Sequence, residues 1–221
     1  MRWLRSILAV VLSCLLLCSL LCLYVLHVLE RTVVETNTAL TAYVQKSVDT
    51  RLEELHRYST TIEITHANTL LKNLRELPGT LPAQAYQLSV TLRDFLVTNK
   101  LARGVYLYYP RTGLVVGNMG CFEAASYYAL QGVPQREGYD AWLAELTKSH
   151  DTRFMLLQMP KDERLCYVRE MRMTGEIAAV VVIEIDREEL LRAFDAAGLP
   201  GDSATGVLLD GQLVAATGNM A

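Results

Sequence analysis

The pattern of apolar and polar positions divides the chain near residue 30. Residues 7–26 form a run of twenty positions without a charge, a proline or a glycine. As one helix with a rise of about 1.5 Å per residue, such a run spans the roughly 30 Å apolar core of a bilayer. Arg2 and Arg5 precede it, and basic flanks tend to stay in the cytoplasm. The pattern therefore predicts one N-terminal anchor with residues 31–221 outside the cell membrane.

A cleaved signal peptide is the alternative interpretation of the same run. Its apolar core is usually about 7 to 15 residues long and is followed by small residues at a cleavage site. The run in this chain is longer, and the segment Tyr24–Leu29 that ends it contains no A-x-A sequence. The pattern favours an anchor that is not cleaved.

Beyond the anchor, apolar residues recur every three or four positions from about Val28 to Leu77, which predicts a helix. Pro78 and Gly79 follow and end it. A helix of about fifty residues is about 70 Å long, more than its own domain can cover. We expect part of its apolar stripe to contact a second copy of the chain, so that the protein forms a homodimer through this stalk.

The rest of the chain alternates between helical and strand-like segments. Residues 177–185 are almost entirely apolar and should form a central strand. This order predicts an α+β fold with an antiparallel sheet and flanking helices. The predicted elements are a helix from 80 to about 99, strands at 105–109 and 114–116, an irregular segment at 117–138 with a short helix at 123–130, a helix at 139–148, strands at 153–159 and 164–173, the strand at 177–185, a helix at 187–197, and a hairpin at 206–216 around Asp210-Gly211.

Composition excludes some classes of function. The net charge of −3 leaves no basic surface for nucleic acid. The chain has no G-x-S-x-G, no H-E-x-x-H and no glycine-rich phosphate loop, and its four histidines lack metal-ligand spacing. We predict no enzyme activity, no metal and no cofactor. Cys121 and Cys166 would lie outside, where a disulfide persists, but their spacing leaves open whether they pair.

The order of elements resembles the double Cache sensors, which are extracytoplasmic PAS-like domains of bacterial receptors. The resemblance rests on residues 104–109 with the Gly113 turn, 180–191 and 208–214, and covers nearly the whole chain. It implies a membrane-distal PAS-like module and the first strands of a membrane-proximal one. Residues 127–130 and 139–143 look most like sensors attached to AraC-type regulators or histidine kinases. The implied domains are a tip and transmembrane anchor at 1–29, a stalk helix at 30–78, the distal module at 79–198, and the start of the proximal module at 199–221.

A set of aromatic and basic residues is the candidate ligand site. Strand alternation places Tyr106 and Tyr108 on one face, and Tyr167 and Arg169 share a face of a later strand, while Trp142 lies on the helix between them. A buried arginine surrounded by aromatic rings suits a carboxylate or an amino acid. The alternative is that the tyrosines are ordinary sheet residues and Arg169 is ion-paired.

The predicted function is ligand sensing by the extracytoplasmic region of a signalling receptor, with a small molecule as ligand. The alternative is a membrane-anchored structural or dimerisation protein without a ligand. The sequence does not identify the ligand or the output module.

Overall fold

In the computed structural model, the described residues are 2–76, 83–132, 136–148, 152–195, 205–209 and 212–217. The chain divides into two compact units, Met1–Lys46 and Ser47–Ala221. The first helix, α1, runs over Arg2–Glu63. Both boundaries predicted for the distal module, at 78–79 and 198–199, lie outside the described residues.

The first unit is helical from Arg2 onward. Its apolar side chains from Leu12 to Leu29 are exposed. Polar groups in this helix satisfy themselves locally, since the Ser19 hydroxyl donates to the carbonyl of Leu15 at 2.9 Å. Within the described residues, α1 is the one helix that is long and apolar enough to cross a membrane.

The predicted continuous helix over 28–77 is wrong at its carboxyl end, because α1 stops at Glu63 and a short helix α2 covers His66–Lys72. Thr65 takes an extended conformation between them, and its hydroxyl accepts from the backbone N–H of Asn68. The Asn68 amide also donates to the carbonyl of Ile62 at 3.1 Å. The break therefore has its own hydrogen-bonding partners, in the manner of an N-cap.

A six-stranded sheet forms the centre of the second unit, with the order β3-β2-β1-β6-β5-β4 and antiparallel pairing throughout. The strand predicted to be central is β6, which lies between β1 and β5. The elements after α2 are α3 Ala83–Thr98, β1 Ala102–Tyr109, β2 Leu114–Gly117, β3 Gly120–Glu123, α4 Ala124–Leu130, α5 Arg136–Thr147, β4 Thr152–Gln158, β5 Glu163–Met173, β6 Glu176–Ile185, α6 Arg187–Asp195, β7 Thr205–Leu209 and β8 Gln212–Thr217. The predicted α+β fold class is confirmed, although the segment containing β3 was expected to be irregular.

The sheet buries apolar side chains on both faces. One face packs with Leu55 and Ile62 of α1 and with residues of α2 and α3. The other face is covered by α4 and α5, which contribute Tyr127 and Trp142. We call these the α1 face and the α5 face. The alternation predicted for the first strand is confirmed, because Val105, Leu107 and Tyr109 lie in the first cluster, whereas Tyr106 and Tyr108 lie in the second.

The last two strands, β7 and β8, pair as a separate antiparallel sheet. This confirms the predicted second hairpin, while its Asp210-Gly211 turn lies outside the described residues. The open question of a disulfide is settled, since Cys121 and Cys166 are both free. Cys121 packs against the α1-face cluster and Cys166 is buried in the α5-face cluster, so the sheet separates them.

Candidate functional site

Six aromatic rings gather on the α5 face around Trp142, and we call this group the aromatic cluster. The indole ring is 2% exposed, and its N–H donates to the Tyr106 hydroxyl at 3.3 Å. The strand β1, the helix α4 and the helix α5 each supply two rings. Ring centroids lie 5.4 to 6.4 Å from that of Trp142 for Tyr106, Tyr108, Tyr127, Tyr128 and Tyr139.

The phenols of the aromatic cluster are held in their neutral form. Burial raises the pKa of Tyr106 well above its ordinary value. Burial also raises the pKa of Tyr127, and the nearby Glu184 carboxylate adds to that rise. Neutral phenols both donate and accept hydrogen bonds. The rings pack against one another in the core, and Tyr106, Tyr127 and Trp142 are each no more than 3% exposed.

A buried ion pair lies at one end of the aromatic cluster. Arg164 on β5 donates from Nη1 to Oε1 of Glu184 on β6 at 2.8 Å, and the two side chains are 13% and 8% exposed. Nη1 also reaches Oε1 of Gln131 at 3.1 Å, and Nε reaches Oδ1 of Asp162 at 2.9 Å. Buried charges are tolerated when they are paired and hydrogen-bonded in this way.

Two clefts share Arg103, Arg164 and Glu184 in their walls. The smaller, which we call the inner cleft, has a volume of about 170 Å³ and is also lined by Tyr127 and Gln131. The larger, the outer cleft, has a volume of about 320 Å³. Within the described part of the chain, no group of three or more histidine, cysteine, aspartate or glutamate residues is arranged to hold a metal ion.

Gly104 leaves room for the Glu184 carboxylate beside the inner cleft. A Cβ atom at this position would lie 2.9 Å from Oε2 of Glu184. Oε1 is engaged by Arg164, whereas Oε2 forms no hydrogen bond to the described residues. Glu184 therefore presents an acceptor oxygen next to the inner cleft.

A different polar network lies on the α1 face of the sheet. Arg169 donates from Nη2 to Glu63 Oε2 at 2.8 Å and from Nη1 to Thr60 Oγ1 at 2.7 Å. Ser59 Oγ lies 3.2 Å from both Arg169 Nη1 and the Tyr167 hydroxyl. That hydroxyl also lies 2.9 Å from Nδ1 of His56. We call these six residues the helix network, because they join β5 to α1.

The structure brings together three of the five predicted site residues. Tyr106, Tyr108 and Trp142 belong to the aromatic cluster on the α5 face. Tyr167 and Arg169 lie on the α1 face, where their polar atoms are engaged by α1. One pocket lined by all five is therefore not what the structure shows. That the first three bind a ligand stays a prediction.

Sequence reasoning did not select Arg164 and Glu184 as site residues. The signal was present, because Glu184 is the one charged residue among 177–185, and a buried carboxylate requires a partner. Glu184 pairs in register with Cys166, which places residue 164 on the same face of the neighbouring strand. The partner could have been found by following that alternation.

No family model and no curated protein matches this chain. The sensory domain of the Campylobacter jejuni chemoreceptor Tlp3, solved with isoleucine bound, is similar with 16% identity and a TM-score of 0.42, over 81% of this chain and 71% of that one. The Vibrio cholerae LuxQ periplasmic domain has 14% identity and a TM-score of 0.46, over 83% and 78% of the two chains. The extracellular domain of the putative histidine kinase vpHK1S-Z8 has 10% identity and a TM-score of 0.45, over 70% and 58%. Similarity at this level does not assign a family.

Proposed function

We propose that the chain is the ligand-sensing region of a membrane-anchored bacterial receptor of the double Cache type, with residues 31–221 extracytoplasmic. The observation that carries this proposal is the α5 face of the sheet. Its aromatic cluster contributes the Tyr127 ring to the wall of the inner cleft, beside the ion pair of Arg164 and Glu184. Concave sites with aromatic walls and a few convergent polar groups are the usual form of small-molecule sites.

The ligand we propose is a small molecule with a carboxylate, and an amino acid suits the inner cleft best. Arg164 borders the cleft, and because its Nε and Nη1 already donate to Asp162, Gln131 and Glu184, we assign the charge-assisted hydrogen bond to the ligand carboxylate to Nη2. Glu184 Oε2 supplies an acceptor for an ammonium group, and the Tyr127 ring lies beside both. Arg169, which the sequence favoured for this role, binds Glu63 and Thr60 on the opposite face of the sheet and is not among the residues that line the inner cleft.

The test is ligand binding by the full chain in lipid nanodiscs. A panel of L-amino acids and simple carboxylates is screened for a rise in the melting temperature, and each positive is titrated by calorimetry. Arg164→Lys keeps the charge and loses the planar fork. Hydrogen bonds to charged groups contribute about 1.5–3 kcal/mol, so we expect the affinity to fall by at least about tenfold.

Arg111→Lys is the matched control for this experiment. Arg111 pairs with Glu176 at 2.6 Å, at the end of β6 away from Glu184. Its replacement should leave the affinity unchanged. A panel without a single binder would refute sensing of this ligand class, and equal affinities of the wild type and Arg164→Lys would remove Arg164 from the site.

We also propose that the protein acts as a homodimer through α1. Val33 and Tyr43 are 55% and 64% exposed in the helical first unit. Apolar side chains of this size on one helix favour a helical partner. A dimeric anchor without a ligand is the alternative function, and the ligand panel separates the two.

A further inference from the structure

We propose that Tyr167 and Arg169 are positioning residues that transmit the state of the Arg164–Glu184 pair, through β5, to the end of α1. The relevance of this coupling to sensing rests on the proposed function, which places the ligand beside that pair. The coupling itself is a property of the ligand-free protein and is tested without a ligand.

Strand β5 makes side-chain contacts on both faces of the sheet. Arg164 and Cys166 point to the α5 face, where Arg164 pairs with Glu184 and Cys166 packs in the aromatic cluster's core. Tyr167 packs on the α1 face, and Arg169 binds Glu63 there. Alternate residues of one strand therefore contact the ion pair and α1. A strand is fixed by its ladder hydrogen bonds on both sides, so a shift at Arg164 is carried to Tyr167 and Arg169.

Several hydrogen bonds attach β5 to α1. Ser59 is fully buried, its hydroxyl donates to the carbonyl of His56 at 2.7 Å, and it lies within 3.2 Å of both β5 side chains. The Arg169–Glu63 pair adds a charge-assisted bond between side chains that are 18% and 27% exposed. Networks of this kind act together, because each bond orients the next group.

The helix network holds the last turns of α1 in place. Leu55 and Ile62 anchor the segment in the core, and its carboxyl end is the break at Ile64-Thr65. With the helix network intact, residues 56–63 are tied to β5. When β5 moves, those bonds lengthen and the last turns of α1 open more readily. Exchange of backbone amides reports such local opening.

The experiment is amide hydrogen exchange of residues 52–63 in the full chain in lipid nanodiscs. Glu184→Gln removes the charge that holds Arg164 while keeping the shape of the side chain. We expect it to change the exchange rate of this segment several-fold, although the substitution lies on the opposite face of the sheet. Glu176→Gln is the matched control, since it breaks an ion pair at the other end of β6 and should leave the segment unchanged.

A second variant tests whether the helix network carries the effect. Glu63→Gln removes the partner of Arg169 and should itself raise exchange at 52–63. In the Glu63→Gln background, Glu184→Gln should add less than it does in the wild type, because the charge-assisted bond from Arg169 to α1 is already lost, whereas independent sites would give additive effects. Additive effects, or an unchanged segment in Glu184→Gln, would overturn the proposal. A uniform increase across all protected segments would also overturn it, because that is global destabilisation.

The two proposals fail in different ways. If amino acids bind while Glu184→Gln leaves residues 52–63 unchanged, the coupling is wrong and the sensing function stands. If Glu184→Gln acts as expected while no member of the panel binds, the coupling stands and the proposed ligand class is wrong.

Discussion

At the scale of single residues, the absence of a side chain at Gly104 leaves room for the Glu184 carboxylate. A Cβ atom there would lie 2.9 Å from Oε2 and 3.2 Å from Cδ of Glu184, and the carboxylate is fixed by Arg164. Gly104→Ala should lower the free energy of unfolding by about 1–3 kcal/mol, the usual cost of overpacking. Urea denaturation of the full chain measures this.

The substitution Glu184→Ala tests whether the contact with Glu184 causes this loss of stability. In a Glu184→Ala background the carboxylate is gone, so adding Gly104→Ala should cost much less than it does in the wild type. Equal costs in the two backgrounds would show that the strain at Gly104 arises elsewhere.

Buried Tyr106 makes the stability of the fold depend on pH in the alkaline range. Burial raises the pKa of its phenol well above the ordinary value, which is about 10. Below pH of about 10 both the folded and the unfolded forms keep the proton. Above it the unfolded chain loses protons first, so stability falls as the pH rises toward the pKa of the folded form.

Tyr106→Phe removes this contribution. We therefore expect the melting temperature of the variant to fall less steeply than that of the wild type as the pH rises from about 9 to about 11, around the ordinary tyrosine pKa of about 10. The neutral-pH cost of losing the bond from Trp142 does not change with pH, so the slope is the informative quantity. Identical slopes for the two proteins would show that Tyr106 does not contribute.

At the scale of elements, local signals predicted most of the strands. Gly113 and Gly175 have φ of 66° and 88° and stand in tight turns, which glycine favours, so the hairpins around them were readable from the sequence. The strand β3, at Gly120–Glu123, was missed because it is short and half-buried, and so shows no clear alternation. The break after Glu63 was missed because the helical pattern continues through Thr65.

Part of the candidate site could be predicted from the sequence, because strand alternation and helix amphipathicity are local signals. Strand parity placed Tyr106 and Tyr108 together correctly, and the amphipathic pattern of α5 turned Trp142 inward. Parity cannot say which helix covers a face, since that depends on contacts between residues distant in sequence. Arg169 was therefore assigned to a ligand, whereas residues of α1 more than a hundred positions away bind it.

Asn68 joins the break in the helix to the sheet, and its removal tests this at the element scale. The side chain is fully buried, accepts from the Tyr109 hydroxyl at 2.8 Å and donates to the Ile62 carbonyl at 3.1 Å. Asn68→Ala leaves the buried Tyr109 hydroxyl without its acceptor, at a cost of about 1–3 kcal/mol, whereas the Ile62 carbonyl keeps the hydrogen bonds that Thr65 donates to it. Chemical denaturation should show a large loss of stability.

Tyr109→Phe provides the comparison for that variant. When the phenol is already absent, Asn68→Ala should cost less than in the wild type, because the hydroxyl that it would leave unpaired is gone. Strict additivity of the two substitutions would contradict the role of this hydrogen bond.

At the scale of the whole molecule, the first question is the side of the membrane on which the sheet folds. Arg2 and Arg5 precede the apolar run, and basic flanks favour the cytoplasm. We therefore expect a reporter that works only after export to be active when it is fused after Asn73, and a reporter that works only in the cytoplasm to be inactive there. Activity of a cytoplasm-dependent reporter at the same position would reverse the orientation, and a fusion at Arg5 serves as the matched cytoplasmic control.

The second question at this scale is whether two copies associate along α1. In a chain whose five cysteines are replaced by serine, single cysteines are placed in turn at positions 31–43 and oxidised in membranes. A helical interface brings the same position of both copies together about every 3.6 residues, so crosslinking should peak with that period and include Val33, which is exposed. Arg31 and Glu35 form an exposed ion pair within the helix, and cysteines there should crosslink less if that face is solvated. Uniform or absent crosslinking across these positions would show that the protein does not dimerise through this part of α1.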